Sequence, residues 1–171
     1  MLIAIDLQND TFAESGSSYS EWTTRIKHGI TGRIQKAIAE NESIIYTKNL
    51  YPEFEHGNRT TESIRFDEEI HSDFSALLDK YGDEYVKTFY GIPPEESKKI
   101  QETYIEEVEA NHIIEFVGVE TNICILANIM VIQNIFPHAD ITIDKGLIAS
   151  SNSHLHDMTL EILSNMHITI K

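Results

Sequence analysis

The chain has 171 residues, 41% of them hydrophobic, which suffices for one domain spanning 1–171 with a substantial core. Its formal charge of −15 disfavours nucleic acid and anionic membrane surfaces as partners. One cysteine excludes an internal disulfide and any Cys-x-x-Cys zinc motif, and no segment reaches the roughly 18 consecutive apolar residues of a membrane span.

The start, Met1–Asp10, carries no basic leader, and its apolar part is too short for a signal sequence. The expectation is a soluble, cytoplasmic protein. Within that stretch Leu2–Asp6 is a continuous apolar run ending in an acid, as in a strand buried on both faces. Ile26, Ile30, Ile34 and Ile38 then recur at helical spacing. Ser43–Lys48 reads as a second strand. Residues from Asn49 to about Ile70 are polar and irregular, with Pro52 and Gly57, and predict a long loop.

His71–Tyr81 predicts a short helix, and Glu84–Thr88 a short strand. Pro93-Pro94-Glu95-Glu96 opens a helix running to about Glu109, because proline suits the first turn and acids suit its positive end. Ile113–Val119 is the next strand, followed by an apolar helix from Thr121 to about Ile135. Asp140–Asp144 predicts a strand, Leu155–Met166 a helix, and His167–Ile170 an edge strand. Alternation of strand and helix argues for an α/β fold, with a mostly parallel sheet covered by helices on both faces in a three-layer αβα sandwich.

In such sheets ligands bind outside the carboxyl ends of the strands. Asp6 ends the first strand, Lys87 lies near the end of another, and Cys124 stands in the first turn after a third. Singly, these read as a turn cap, a surface cation and a packed hydrophobe. Together they supply a proton acceptor, a positive charge and a nucleophile. A helix N-terminus and a lysine both favour the thiolate, so an activated thiol is expected. Asp6 can take the thiol proton and return it to a leaving amine.

These residues sit in stretches that resemble the isochorismatase-like cysteine hydrolases, a family that includes nicotinamidases. The motifs are "AIDLQND", Ala4–Asp10; "VKTFYG", Val86–Gly91; and "GVETNIC", Gly118–Cys124, in family order over nearly the whole chain. "DKGLIASSNSHLHDMTL", Asp144–Leu160, is similar to the family segment in which a histidine, here His156, precedes the last helix. The resemblance implies the isochorismatase-like hydrolase fold and a triad of Asp6, Lys87 and Cys124. It implies a cis peptide at Val119–Glu120 and an oxyanion hole from the backbone N–H groups of Glu120 and Cys124. The implied activity is hydrolysis of a small carboxamide or related C–N bond through a thioester. Vinyl-ether cleavage, the reaction of true isochorismatases, is disfavoured because those enzymes lack the cysteine.

The chain departs from nicotinamidases where they place an Asp-x-His metal pair: Asn49 and Tyr51 stand there, leaving His56 and His71 nearby. No metal and no cofactor are therefore expected, and nicotinamide becomes a doubtful substrate. Thr11 replaces the family's usual aromatic, so Phe12, Tyr51, Phe54 and Tyr90 are candidate pocket walls, and Arg59 a candidate for a substrate carboxylate. Family members commonly assemble, and the aliphatic excess of the helix after Cys124 predicts a homo-oligomer, a dimer or larger. Two other readings stay open: a catalytically inactive member serving as a binding or regulatory subunit, and a thiol redox sensor.

Overall fold

Every residue of Leu2–Ile5 is buried, because the strand has a hydrophobic layer on each side. Leu2 and Ala4 point into one cluster, with Ile30, Ile34 and Ala37 of one helix and Phe74 and Leu78 of another. Ile3 and Ile5 point the opposite way, against Ile100, Tyr104, Val108, Ile129 and Ile132. The alternation of strand side chains thus turns one apolar run into the middle of a sandwich. Each fully buried isoleucine contributes about 1.5–3 kcal/mol relative to exposure.

The computed structural model describes residues 1–171. Its strands are β1 (Leu2–Ile5), β2 (Ile44–Asn49), β3 (Gly82–Lys87), β4 (Ile113–Val119), β5 (Asp140–Ala149) and β6 (Thr169–Ile170). Its helices are α1 (Asn9–Phe12), α2 (Glu21–Thr24), α3 (Lys27–Ala39), α4 (Thr61–Glu68), α5 (Ser72–Tyr81), α6 (Pro94–Asn111), α7 (Leu126–Ile135) and α8 (Ser153–Asn165). The sheet order is β3-β2-β1-β4-β5-β6, and every strand pairing is parallel. Helices α3 and α5 cover one face, and α6, α7 and α8 the other. The order reverses between β1 and β4, which opens a crevice beyond their carboxyl ends. No helix is long and apolar enough to cross a membrane.

Besides the short helices α1 and α2, which the periodicity does not predict, the following elements differ from expectation. The predicted loop after Asn49 holds a 3-10 turn at Glu53–Glu55 and helix α4. Helix α4 buries only Ile64 and Asp67, so it carries no apolar stripe. Its C-terminal carbonyls dock by polar contacts instead: Asn9 Nδ2 donates to Phe66 O and Gln8 Nε2 to Glu68 O. Strand β5 continues to Ala149 rather than ending at Asp144. There Asp144 Oδ1 accepts from Gly146 N, a local turn taken within the strand, and the pairing with β4 shifts register before Ile148. Finally, Thr121–Ile125 forms a π-helical turn ahead of α7 rather than a regular first turn.

Gly118 shows why the strand before that turn needs a glycine. Its φ is +118°, and a Cβ there would lie 2.1 Å from Ile5 O on the neighbouring strand. Strain and overlap together predict that Gly118→Ala destabilises the fold by roughly 2–6 kcal/mol, read by urea denaturation. An unchanged midpoint would contradict this packing.

Candidate active site

Strand β1 ends at Ile5, and Asp6 turns the chain out of the sheet with φ +51°, a region few residues other than glycine occupy. Thr47 of β2 holds it there. Its Oγ1 accepts from Asp6 N at 3.1 Å and donates to Asp6 Oδ1 at 2.7 Å. The other carboxylate oxygen lies 2.7 Å from Lys87 Nζ, at the end of β3. Lys87 is 1% exposed, and its ammonium also donates to Phe89 O at 2.9 Å, to Asn49 Oδ1 at 3.2 Å and to Cys124 Sγ at 3.6 Å. The ends of β1 and β3 and the turn after β4 thus deliver an acid, a cation and a thiol to one point.

Burial alone would lower the Lys87 pKa, but Asp6 and then Cys124 outweigh it and hold the ammonium above the ordinary lysine value. Cys124 is pushed well above the usual thiol range, first by burial and then by the Asp6 carboxylate, with Lys87 opposing only in part. Burial and the Asp6 carboxylate thus oppose the thiolate that Lys87 favours, so activation calls for transfer of the thiol proton.

The Val119–Glu120 peptide is cis. The Glu120 carboxylate accepts from Ser150 Oγ, Ser151 N and Ser151 Oγ at 2.8–3.0 Å. Glu120 O accepts from Ile123 N and Ile125 N, which seats Cys124 in the π turn. Asn128, fully buried on α7, ties that turn to the loop after β3. It donates to Cys124 O and Tyr90 O and accepts from Ile92 N. His156 lies inside α8 rather than before it, and its Nδ1 is 2.9 Å from Thr121 Oγ1.

A pocket of about 530 Å³ opens above Cys124 and Asp6. Tyr51 and Tyr90 line it; two other candidate walls do not. Phe12 is 1% exposed and packs edge-on against Phe74, because the α1 turn points it into the core. Phe54 is 74% exposed and stacks on Phe89 from outside. Arg59 is occupied elsewhere: it pairs with Asp67 at 3.2 Å and its guanidinium covers the Tyr51 ring.

The roles of Thr47, Gln8 and Asn128 escaped the sequence reading. Buried polar side chains in apolar or loop segments were the only signal for them. Gln8 is the clearest case. Its amide donates to Asn49 O and Glu68 O and accepts from Asn49 N, which fixes the loop after β1 against β2.

Asp10, also in the pocket wall, accepts from Tyr51 OH at 2.6 Å and from Thr11 Oγ1 at 2.8 Å. Burial raises its pKa to about 6, against the lowering effect of those two hydroxyls, with Asp6 and Asp67 adding to the rise. A carboxyl with a raised folded pKa contributes stability that is complete below its unfolded value, near 4, and lost as pH climbs through about 6. Asp10→Asn therefore gains on the wild type between pH 4.5 and 7.5, by several degrees in Tm. Parallel curves at the two pH values would contradict this.

A doubly wound parallel sheet with a cysteine, a lysine and an aspartate gathered at its switch point defines a recognisable class of fold. Solved structures that match it include nicotinamidases, an isochorismatase family protein and a cysteine hydrolase. The pyrazinamidase/nicotinamidase of Streptococcus mutans is similar over 99% of this chain and 98% of its own, at 22% identity and TM-score 0.80. A cysteine hydrolase from Pseudomonas syringae matches 99% of this chain and 86% of its own, at 14% identity and TM-score 0.77. The pyrazinamidase of Pyrococcus horikoshii, solved in complex with zinc, matches 99% and 97% of the two chains at 16% identity and TM-score 0.72. No protein-family model matches the sequence, and no curated protein matches it either.

The residues here do not fit a metal. Asn49 Oδ1 is taken by Lys87, and Tyr51 OH by Asp10. His56 Nε2 lies against Tyr51 O, while His71 Nδ1 caps α5 through Asp73 N and its ring packs on Phe12 and Phe74. No three His, Cys, Asp or Glu side chains are placed to share an ion.

Proposed function

We propose that the chain is a cysteine-dependent amidohydrolase that cleaves a small carboxamide through a thioester on Cys124. One observation carries this reading. Lys87 Nζ bridges Asp6 Oδ2 at 2.7 Å and Cys124 Sγ at 3.6 Å at the base of a pocket. In the first half-reaction Asp6 takes the thiol proton as sulfur attacks the amide carbon. The transfer leaves the net charge of the buried trio unchanged, so the cost that keeps the free thiol protonated is largely avoided. Lys87 stabilises the thiolate as it forms.

The backbone N–H groups of Glu120 and Cys124 are the donors for the tetrahedral oxyanion in this scheme. The C–N bond then breaks, with the Asp6 proton passing to nitrogen, and ammonia leaves. Water loses a proton to Asp6 and attacks the thioester. The C–S bond breaks, the carboxylic acid departs, and the proton returns to sulfur.

Acid quenching during turnover of a small carboxamide, followed by mass spectrometry, tests this. The expected product is an acyl adduct on the Cys124 peptide, formed together with ammonia. Ammonia release without an adduct would overturn the thioester, and failure of every carboxamide would favour an inactive binding subunit.

The reading extends to a small-molecule enzyme of the cytoplasm, which the unpaired Cys124 supports. It also includes a homo-oligomer. Ile125, Ile129 and Ile132 of the helix after Cys124 are consumed by the core, so the support moves to α8, where Leu155, Met158 and Ile162 are 40–47% exposed at helical spacing. Light scattering is expected to give at least a dimer, and a monomer would refute it.

A further inference from the structure

The charge of the pocket narrows the substrate, if the hydrolase reading of that pocket holds. Asp6, Asp10, Glu55 and Glu120 line it, and no lysine, arginine or histidine does. Lys87 lies beneath, is fully buried and is paired one-to-one with Asp6. Arg59 is committed to Asp67 and to the Tyr51 ring. None of the three remaining carboxyls makes an ion pair; of Glu55, the nearby Arg59 guanidinium meets only the backbone carbonyl. Asp10 is met by two hydroxyls, Glu120 by Ser150 and Ser151, and the Glu55 side chain makes no ion pair.

Aromatic rings supply a second, independent feature. Tyr19, Phe89 and Tyr90 line the same pocket, with Phe89 and Tyr90 packed edge-to-face at 5.8 Å. Ring faces and carboxylates together attract cations and repel anions. Asp10 adds a third argument. Its ionised form is disfavoured by burial, so keeping a carboxylate there works against the fold, a pattern characteristic of functional positions.

We infer that the substrate is a small carboxamide carrying a cationic nitrogen, an ammonium or amidinium group, which Asp10 and Glu55 hold while the amide faces Cys124. Anionic amides are excluded by the same charges. Asp10 and Glu55 are then specificity-determining residues rather than members of the reacting trio.

The test uses three matched amides of equal size: one with a quaternary ammonium, one with its neutral carbon isostere, and one with a carboxylate. Calorimetric binding to full-length Cys124→Ala is measured at low salt and at high salt. Ammonia release by the wild type is measured in parallel. The expected result is that the cationic amide binds at least about tenfold tighter than the neutral one, the anionic amide is not bound, and salt erodes the preference. The Asp10→Asn/Glu55→Gln double variant loses the preference while retaining its circular dichroism spectrum.

Equal binding of the three probes, binding of none, or a preference that survives the double substitution overturns the inference. The two readings fail separately. A cationic amide that binds Cys124→Ala but yields no ammonia with the wild type sinks the hydrolase and leaves the charge preference standing. Hydrolysis of neutral and anionic amides as fast as the cationic one does the reverse.

Discussion

Cys124→Ala is expected to lower ammonia release by about 10⁴-fold or more on any carboxamide the wild type hydrolyses, because no other side chain at the pocket base can form the acyl intermediate. The sulfur is the only thiol in the chain, so nothing nearby substitutes for it. Asp6 and Lys87 remain paired at 2.7 Å without it, and the thermal midpoint should stay close to the wild-type value. Cys124→Ser separates two explanations. A hydroxyl keeps a proton for Asp6 but is a weaker nucleophile, so the loss is expected to persist. Activity in either variant within tenfold of the wild type would remove Cys124 from the chemistry and favour direct attack by water.

Lys87→Met is expected to damage both stability and catalysis. The methionine fills the space of the stem but leaves the Asp6 carboxylate, itself 7% exposed, without its cation. Breaking a buried pair in this way costs about 3–5 kcal/mol. Lys87 is held above the ordinary lysine value despite burial, so the stability it contributes is fully present at neutral pH and lost only as pH rises through that higher folded value. kcat/KM should fall by about 10³-fold or more, since neither the thiolate nor the carboxylate keeps its counter-charge.

The control is Asp6→Asn/Lys87→Met. Removing both charges should recover much of the stability lost in Lys87→Met, because no unpaired carboxylate remains, while activity stays absent for want of a base. If the double variant were no more stable than Lys87→Met, the pair would not be the source of the destabilisation. A Lys87→Met enzyme with wild-type kcat/KM would remove the lysine from the mechanism.

The candidate trio is legible because Asp6 and Lys87 stand at strand ends and Cys124 in the turn that follows one. Strand ends can be read from apolar runs such as Leu2–Ile5 and Ile113–Val119. Lys87 was readable by its place in "EYVKT", although β2 and β1 lie between its strand and the strand before Cys124 in the sheet. The pocket walls were harder. Phe12 and Phe54 are both aromatic and close in sequence to pocket residues, yet one lies in the core and the other in solvent. The direction of a side chain leaving a short turn depends on what packs beneath it, here Phe74 and Phe89.

The amino-acid sequence by itself determined the order of strands and helices, their burial on both faces of the sheet, and the place of Asp6, Lys87 and Cys124 at the strand ends. Those follow from periodicity and chain punctuation, which are local. The tertiary structure alone decided helix α4, the polar clamps of Gln8, Thr47 and Asn128, and the burial that pushes the Cys124 thiol upward. It also decided that Asn49 pairs with Lys87 and Tyr51 with Asp10. Each of these depends on which distant groups share a low-dielectric space, and desolvation and hydrogen-bond pairing have no counterpart in sequence spacing.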